Sequence, residues 1–173
     1  MFKKYIPNIL TFMNLSFGIL STIEVFNKNF NRAAIFIIAA ALIDRYDGRI
    51  ARYFNVSSEI GKELDSLADL ISFGVAPAIL IFSKYIFDSQ AFGVIGIISA
   101  QAYIICGCYR LAKYNVSKFN GTFTGIPITI AGSILALFSL FVPKNNVSVI
   151  ILSIILMSVL AYLMIAKFKL KKI

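Results

Sequence analysis

Carboxylates crowd into one stretch of this chain. Of its eight acidic residues, six fall between Asp44 and Asp69. Asp44, Asp47, Gly48 and Ala51 stand at i, i+3, i+4 and i+7, one stripe of an α-helix. Gly61, Asp65 and Asp69 stand at i, i+4 and i+8, one stripe of the next. A turn near Phe54–Ser58 would make the two helices antiparallel neighbours. Asp47 lies nine or ten residues before the centre of that turn, Asp65 eight or nine after it, and Asp44 and Asp69 each about twelve away. At 1.5 Å per residue both pairs come to matching depths, roughly 12–18 Å from the turn. The spacing thus brings four carboxylates to one point between two helices.

Converging carboxylates repel one another unless cations neutralise them. Hard oxygen ligands without His or Cys select Mg²⁺, Mn²⁺ or Ca²⁺. Such a site holds two ions roughly 3.5–4 Å apart, which bridge phosphate oxygens during an in-line displacement. Gly48 and Ala51 are small and leave room for a ligand against the backbone. Arg52, one turn beyond Gly48, is placed to bind a phosphate. The competing reading pairs the aspartates with Arg45, Arg49, Arg52 and Lys62. Helical geometry turns Arg45 and Arg49 away from the acidic stripe, and only Arg52 comes near it. The chain has no histidine, which excludes phosphohistidine chemistry, a Ser-His-Asp triad and a His-ligated metal. Cys106 and Cys108 are too close for a useful disulfide and lack a second pair for zinc, so they read as small packing residues.

The elements that position these residues belong in lipid. Hydrophobic residues make up 59% of the 173 and charged ones 14%, with a mean hydropathy of +0.84. A soluble domain is nearer 45–50% apolar and about 25% charged. Charge-free runs cover Tyr5–Ile23, Ala33–Ile43, Leu70–Ser83, Ser89–Tyr109, Phe119–Pro143 and Asn145–Ala166. A span needs about 20 helical residues. The two short runs reach that length only through charged residues, those from Asp44 to Arg52 and the pair Asp65 and Asp69. The expectation is an all-α integral membrane protein, one domain over 1–173, with six transmembrane helices near 6–26, 32–54, 62–84, 90–114, 124–142 and 147–167. The first run lacks a cleavage site and reads as a retained helix, not a signal peptide.

Six spans put both termini on one face. That face carries 13 of the 17 basic residues and the other only Lys28, Arg32, Lys84 and Lys144. The positive-inside rule therefore places both termini and the aspartates on the cytoplasmic side of a cell membrane. The net charge of +9 reads as topology and attraction to anionic headgroups. It gives no nucleic-acid partner, since no basic helix projects beyond the bilayer.

The motif residues resemble a known family. Asp44-Arg45-Tyr46-Asp47-Gly48-Arg49-Ile50-Ala51-Arg52, eight residues, then Gly61-Lys62-Glu63-Leu64-Asp65-Ser66-Leu67-Ala68-Asp69 fit the pattern D-x-x-D-G-x-x-A-R…G-x-x-x-D-x-x-x-D of the CDP-alcohol phosphotransferases at all eight fixed positions. The resemblance implies a two-metal centre, Mg²⁺ or Mn²⁺, on Asp44, Asp47 and Asp65. It makes Asp69 a shared ligand or the catalytic base. Gly48, Ala51 and Gly61 become the bed of the cytidine, with Asp47 and Arg52 at the CDP-lipid, and the protein a homodimer. The segments Ser72–Ala78, Tyr109–Val116 and Phe119–Pro127 resemble the branch that uses serine, including archaeal members with archaetidyl lipids. Pro7, Asn8 and Thr11, followed by Asn14 and Gly18, resemble that branch as well.

This implies transfer of a phosphatidyl or archaetidyl group from a CDP-lipid to L-serine, with release of CMP. Serine brings a carboxylate, for which Arg110 is the first candidate and Lys118 the weaker one. Arg110 could equally be a basic anchor that snorkels to the interface. Asn8 and Thr11 either bond the nucleotide or cap the first helix. Glu59, Lys62 and Glu63 read as a solvated turn. Glycerol 3-phosphate or an inositol phosphate is the alternative acceptor, although it would need a richer basic cluster around the last three helices. A cation transporter or channel is the rival of another class. It would need polar residues on both sides of the aspartates, and the last two predicted spans carry no charge before Lys167 at the final position.

Overall fold

The computed structural model describes residues 6–54, 59–116, 123–144, 146–166 and 169–170, with side chains over 8–46, 59–116, 125–144 and 146–166. Within them the chain forms six helices: α1 Ile6–Phe26, α2 Phe30–Phe54, α3 Glu59–Ile86, α4 Gly93–Val116, α5 Ile128–Phe141 and α6 Val147–Ile165. Phe123–Thr124 and Lys169–Leu170 form a two-residue antiparallel bridge, Phe123 opposite Leu170. α1 packs along α2, α4 along α6, and α5 against α2 and α3.

α3 is the axis of the bundle. Over half of its apolar window, 56%, is buried, against 22–28% for α1, α4 and α6. Phe73, Ala76, Ala78, Leu80, Ile81 and Ile86 on α3 are all closed off completely. The outer helices turn large apolar side chains outward, among them Phe12 and Ile19 on α1, Ile98 and Ile105 on α4, and Leu152 and Ile155 on α6. Such a surface suits a hydrocarbon solvent and not water.

Two π-helical stretches, Leu70–Val75 and Phe82–Ile86, interrupt α3. The first ends just before Pro77, which has no N–H for the Phe73 carbonyl one turn back. Tyr103 on α4 donates its hydroxyl to that carbonyl at 2.9 Å. On α5, Gly132 crosses the same point so closely that a Cβ there would lie 2.8 Å from Phe73 Cα. Glycine permits this crossing, and the crossing brings Thr129, one turn earlier, to the aspartates.

Among the described residues four helices are long and apolar enough to cross a membrane: α1 from Asn8, α3, α4 and α6. This is fewer than the six expected. α2 carries its charges within its length. α5 has 14 residues, about 21 Å at 1.5 Å per residue, short of a hydrocarbon core of about 30 Å. It starts at Ile128 and not at 124 because Pro127 is extended, with ψ 141°. α3 starts at Glu59 and not at 62, so Glu59, Lys62 and Glu63 lie on a helix and the expected solvated turn is corrected. Lys62 donates to the Asn115 carbonyl at 3.0 Å, and the Asn115 amide donates to Glu63 and Ser66 at 3.2 and 2.9 Å. These bonds tie the start of α3 to the end of α4.

Candidate active site

Asp44 arrives on α2, and Asp65 and Asp69 on successive turns of α3. One carboxylate oxygen from each lies within 4.8 Å of the other two. Asp69 is the most deeply set, 9% exposed, while Asp44 and Asp65 are half-buried. Asp44 and Asp69 come together at one depth, as the depth count from the turn requires.

Two further side chains hold this group. Asn14 on α1 donates its amide to Asp69 Oδ1 at 3.1 Å, and Thr129 on α5 donates its hydroxyl to Asp44 Oδ2 at 3.3 Å. Neither was chosen as a site residue from the sequence. Asn14 and Thr129 sit far from the aspartates in the chain, in helices whose apolar pattern gives no sign of the contact. The only earlier signal was the occurrence of Asn14 in the N-terminal motif.

The site fits a hard cation. Its donors are oxygens, three of them carboxylates drawn together from two helices. Asp65 Oδ1 is buried without a hydrogen-bond partner, a state that costs about 1–3 kcal/mol or more for a charged group and that a bound metal removes. Of the cations in the paired-cation reading, Arg45 is exposed and Lys62 bonds the Asn115 carbonyl, while the side chains of Arg49 and Arg52 lie outside the described residues.

The other expected site residues divide. Asp47, Gly48, Ala51 and Arg52 fall on α2, but their side chains lie outside the described residues, as does Lys118 altogether. Gly61 is half-buried in the first turn of α3. Arg110, on α4, is within electrostatic range of Asp69, and its Nε is buried without a hydrogen-bond partner. That placement is unlike a side chain reaching out to an interface. Asn8 and Thr11 are inside α1, third and sixth in a helix that begins at Ile6, so neither caps it. Thr11 is buried and faces α3, where with Phe12, Leu64, Leu67 and Ala68 it lines an apolar cavity of about 210 Å³. Cys106 and Cys108 carry free thiols.

Comparison with known proteins gives the chain a family and named relatives. The chain matches the family described as CDP-alcohol phosphatidyltransferase over residues 4–166. It is 39% identical over 137 residues to the CDP-diacylglycerol–serine O-phosphatidyltransferase of Bacillus subtilis, covering 79% of this chain and 76% of that one. The protein of the same name from Helicobacter pylori strain 26695 is 34% identical over 163 residues, 89% of this chain and 68% of its own. An archaetidylserine synthase of Methanothermobacter thermautotrophicus is 38% identical over 138 residues, 78% of this chain and 58% of its own.

Proposed function

The chain belongs to the CDP-alcohol phosphatidyltransferase family, and from that premise we propose that it transfers a phosphatidyl or archaetidyl group from a CDP-lipid to L-serine in phospholipid synthesis. The similarity to both kinds of serine-using relative supports the acceptor. The observation that carries the chemistry is the meeting of Asp44, Asp65 and Asp69 from two helices. Family membership also sets aside the transporter reading.

In this proposal Asp44, Asp47, Asp65 and Asp69 hold two divalent cations, Mg²⁺ or Mn²⁺. When bound, such ions neutralise the diphosphate and the charge that builds on it in the transition state. Asp69 accepts the proton of the serine hydroxyl. The serine oxygen forms a bond to the lipid-bearing phosphorus as the bond from that phosphorus to the CMP oxygen breaks. Arg110 supplies a fixed cation for the serine carboxylate, with Lys118 as a further candidate. Gly48, Ala51 and Gly61 make the bed of the cytidine, Arg52 binds its diphosphate, and Asn8 and Thr11 lie along the same ligand. The apolar cavity beside Thr11 accommodates part of a lipid chain that enters sideways from the bilayer.

The membrane arrangement belongs to the same proposal. It has a single domain of six spans, both termini and the site cytoplasmic, and two chains per molecule. The distribution of basic residues supports the orientation.

One assay tests the reaction. Purified protein with CDP-diacylglycerol and Mn²⁺ should release CMP when given L-serine, and EDTA should stop it. Faster release with glycerol 3-phosphate or an inositol phosphate than with serine would overturn the acceptor, and a rate unaffected by EDTA would overturn the metal centre.

A further inference from the structure

The Asn14 side chain is sealed completely from solvent and sits 55 positions from the carboxylate it binds. Its placement is fixed at the backbone. Ser72, three residues beyond Asp69 on α3, donates its hydroxyl to the Asn14 carbonyl at 2.9 Å. One turn further along α1, Gly18 lies against the same serine, where a Cβ would fall 2.4 Å from Ser72 Oγ and 2.8 Å from its Cα. This close approach locks the register of α1 against α3. With the register locked, the Asn14 amide has one place to go, which is Asp69 Oδ1.

A buried asparagine kept only for stability would have both ends of its amide satisfied. Here Nδ2 bonds Asp69, but Oδ1 is buried with no hydrogen-bond partner. Its isosteric apolar replacement, leucine, would avoid that orphaned acceptor. The amide is therefore retained for what it does to Asp69. An N–H given to one carboxylate oxygen fixes the carboxylate plane and directs the other oxygen to a ligand. Partners of this kind, one shell out from a metal, typically matter about 10–100-fold in affinity or activity.

We propose that Asn14 is a positioning residue for Asp69, orienting its carboxylate toward the cation and the acceptor hydroxyl. The inference rests on the reading of Asp69 as metal ligand and base. Asn14→Leu and Asn14→Val both remove the donor without adding a charge, the first at nearly constant size. Mn²⁺ binding to the purified, substrate-free protein, followed by electron paramagnetic resonance, should weaken about tenfold in each. kcat should fall about 10–100-fold, with KM for serine within about twofold and the melting temperature within a few degrees. In an Asp69→Asn background, Asn14→Leu should change Mn²⁺ binding by less than about twofold, because the residue it acts through is gone.

Unchanged Mn²⁺ binding and kcat in either folded variant would overturn the proposal. So would an equal loss in the Asp69→Asn background, or a fall in melting temperature that tracks the loss in both variants. If Asp69→Asn alone keeps full Mn²⁺ binding and turnover, the reading of Asp69 falls and this inference with it. An inactive Asp69→Asn beside a normal Asn14→Leu removes only the role of Asn14.

Discussion

At one end of α3, Asp65 and Asp69 face Asp44, and three side-chain atoms around them are buried without hydrogen-bond partners: Asp65 Oδ1, Asn14 Oδ1 and Arg110 Nε. At the other end, Lys84 and Tyr85 are just as hidden, 9% and 1% exposed. There the polar atoms are matched. Lys84 Nζ donates to the carbonyls of Ser139 and Val142, and Tyr85 Oη donates to Val142 at 2.5 Å. These are carbonyls at the C-terminal end of α5, which its own helix leaves without donors. Only a neutral hydroxyl, Ser139 Oγ, is left over in that cluster. A buried charge therefore does not mark a functional site by itself. What separates the two ends is that one is complete within the protein and the other needs something more.

The largest effects should come from the incomplete end. Asp69→Asn keeps size and removes the charge and the base, and CMP release should fall about 10²–10⁴-fold. Asp44→Asn and Asp65→Asn should match it if the three act on one cation site. All three should melt as high as the parent or higher, because each relieves repulsion among carboxylates in the metal-free protein. A variant that lost stability as much as turnover would erase the difference between the two ends.

The same contrast explains what the sequence could and could not disclose. Asp44, Asp65 and Asp69 were legible because a helix has a fixed rise and repeat, so spacing alone sets depth and face on two adjacent helices. Asn14 and Thr129 were not, because their contacts depend on how α1 and α5 cross α3. Those crossings are set by Gly18 against Ser72 and Gly132 against Phe73, close approaches that no periodicity encodes. Lys84, counted in the sequence only for the face it lies on, also closes the end of a neighbouring helix. The length of α5 was overestimated because Phe119–Pro143 is free of charged residues throughout. Hydropathy does not register that an extended Pro127 delays the helix.

At the complete end, substitutions should act on stability and leave catalysis alone. Tyr85→Phe removes the hydroxyl from the Val142 carbonyl, a loss of about 1 kcal/mol. Lys84→Met removes a charge-assisted donor from two carbonyls, with an expected loss of about 1.5–3 kcal/mol. Thermal unfolding in detergent measures both. kcat and the EDTA response should be those of the parent. A tenfold fall in kcat in folded Tyr85→Phe would mean that this end also takes part in the reaction.

The smallest effect should come from the exposed ion pair of Asp88 with Lys144, in the loop regions beyond α3 and α5. The Lys144 hydrogen bond and charge, with help from Lys28, hold the Asp88 carboxyl below the usual carboxylate range. A lowered folded value means that the pair stabilises above the ordinary carboxylate pKa, near 3.9, and that this is lost as pH falls through the lowered value. Both side chains are exposed, Lys144 by 41% and Asp88 by 69%, so water and salt screen the attraction. Asp88→Asn should lower the melting temperature at pH 7 by less than Tyr85→Phe does, and raising the salt should shrink the difference. Lowering the pH below the ordinary carboxylate value, through the lowered one, should shrink it too. A larger effect for Asp88→Asn than for Tyr85→Phe would show that exposed charge outweighs buried hydrogen bonding here, contrary to the account given for the two ends of α3.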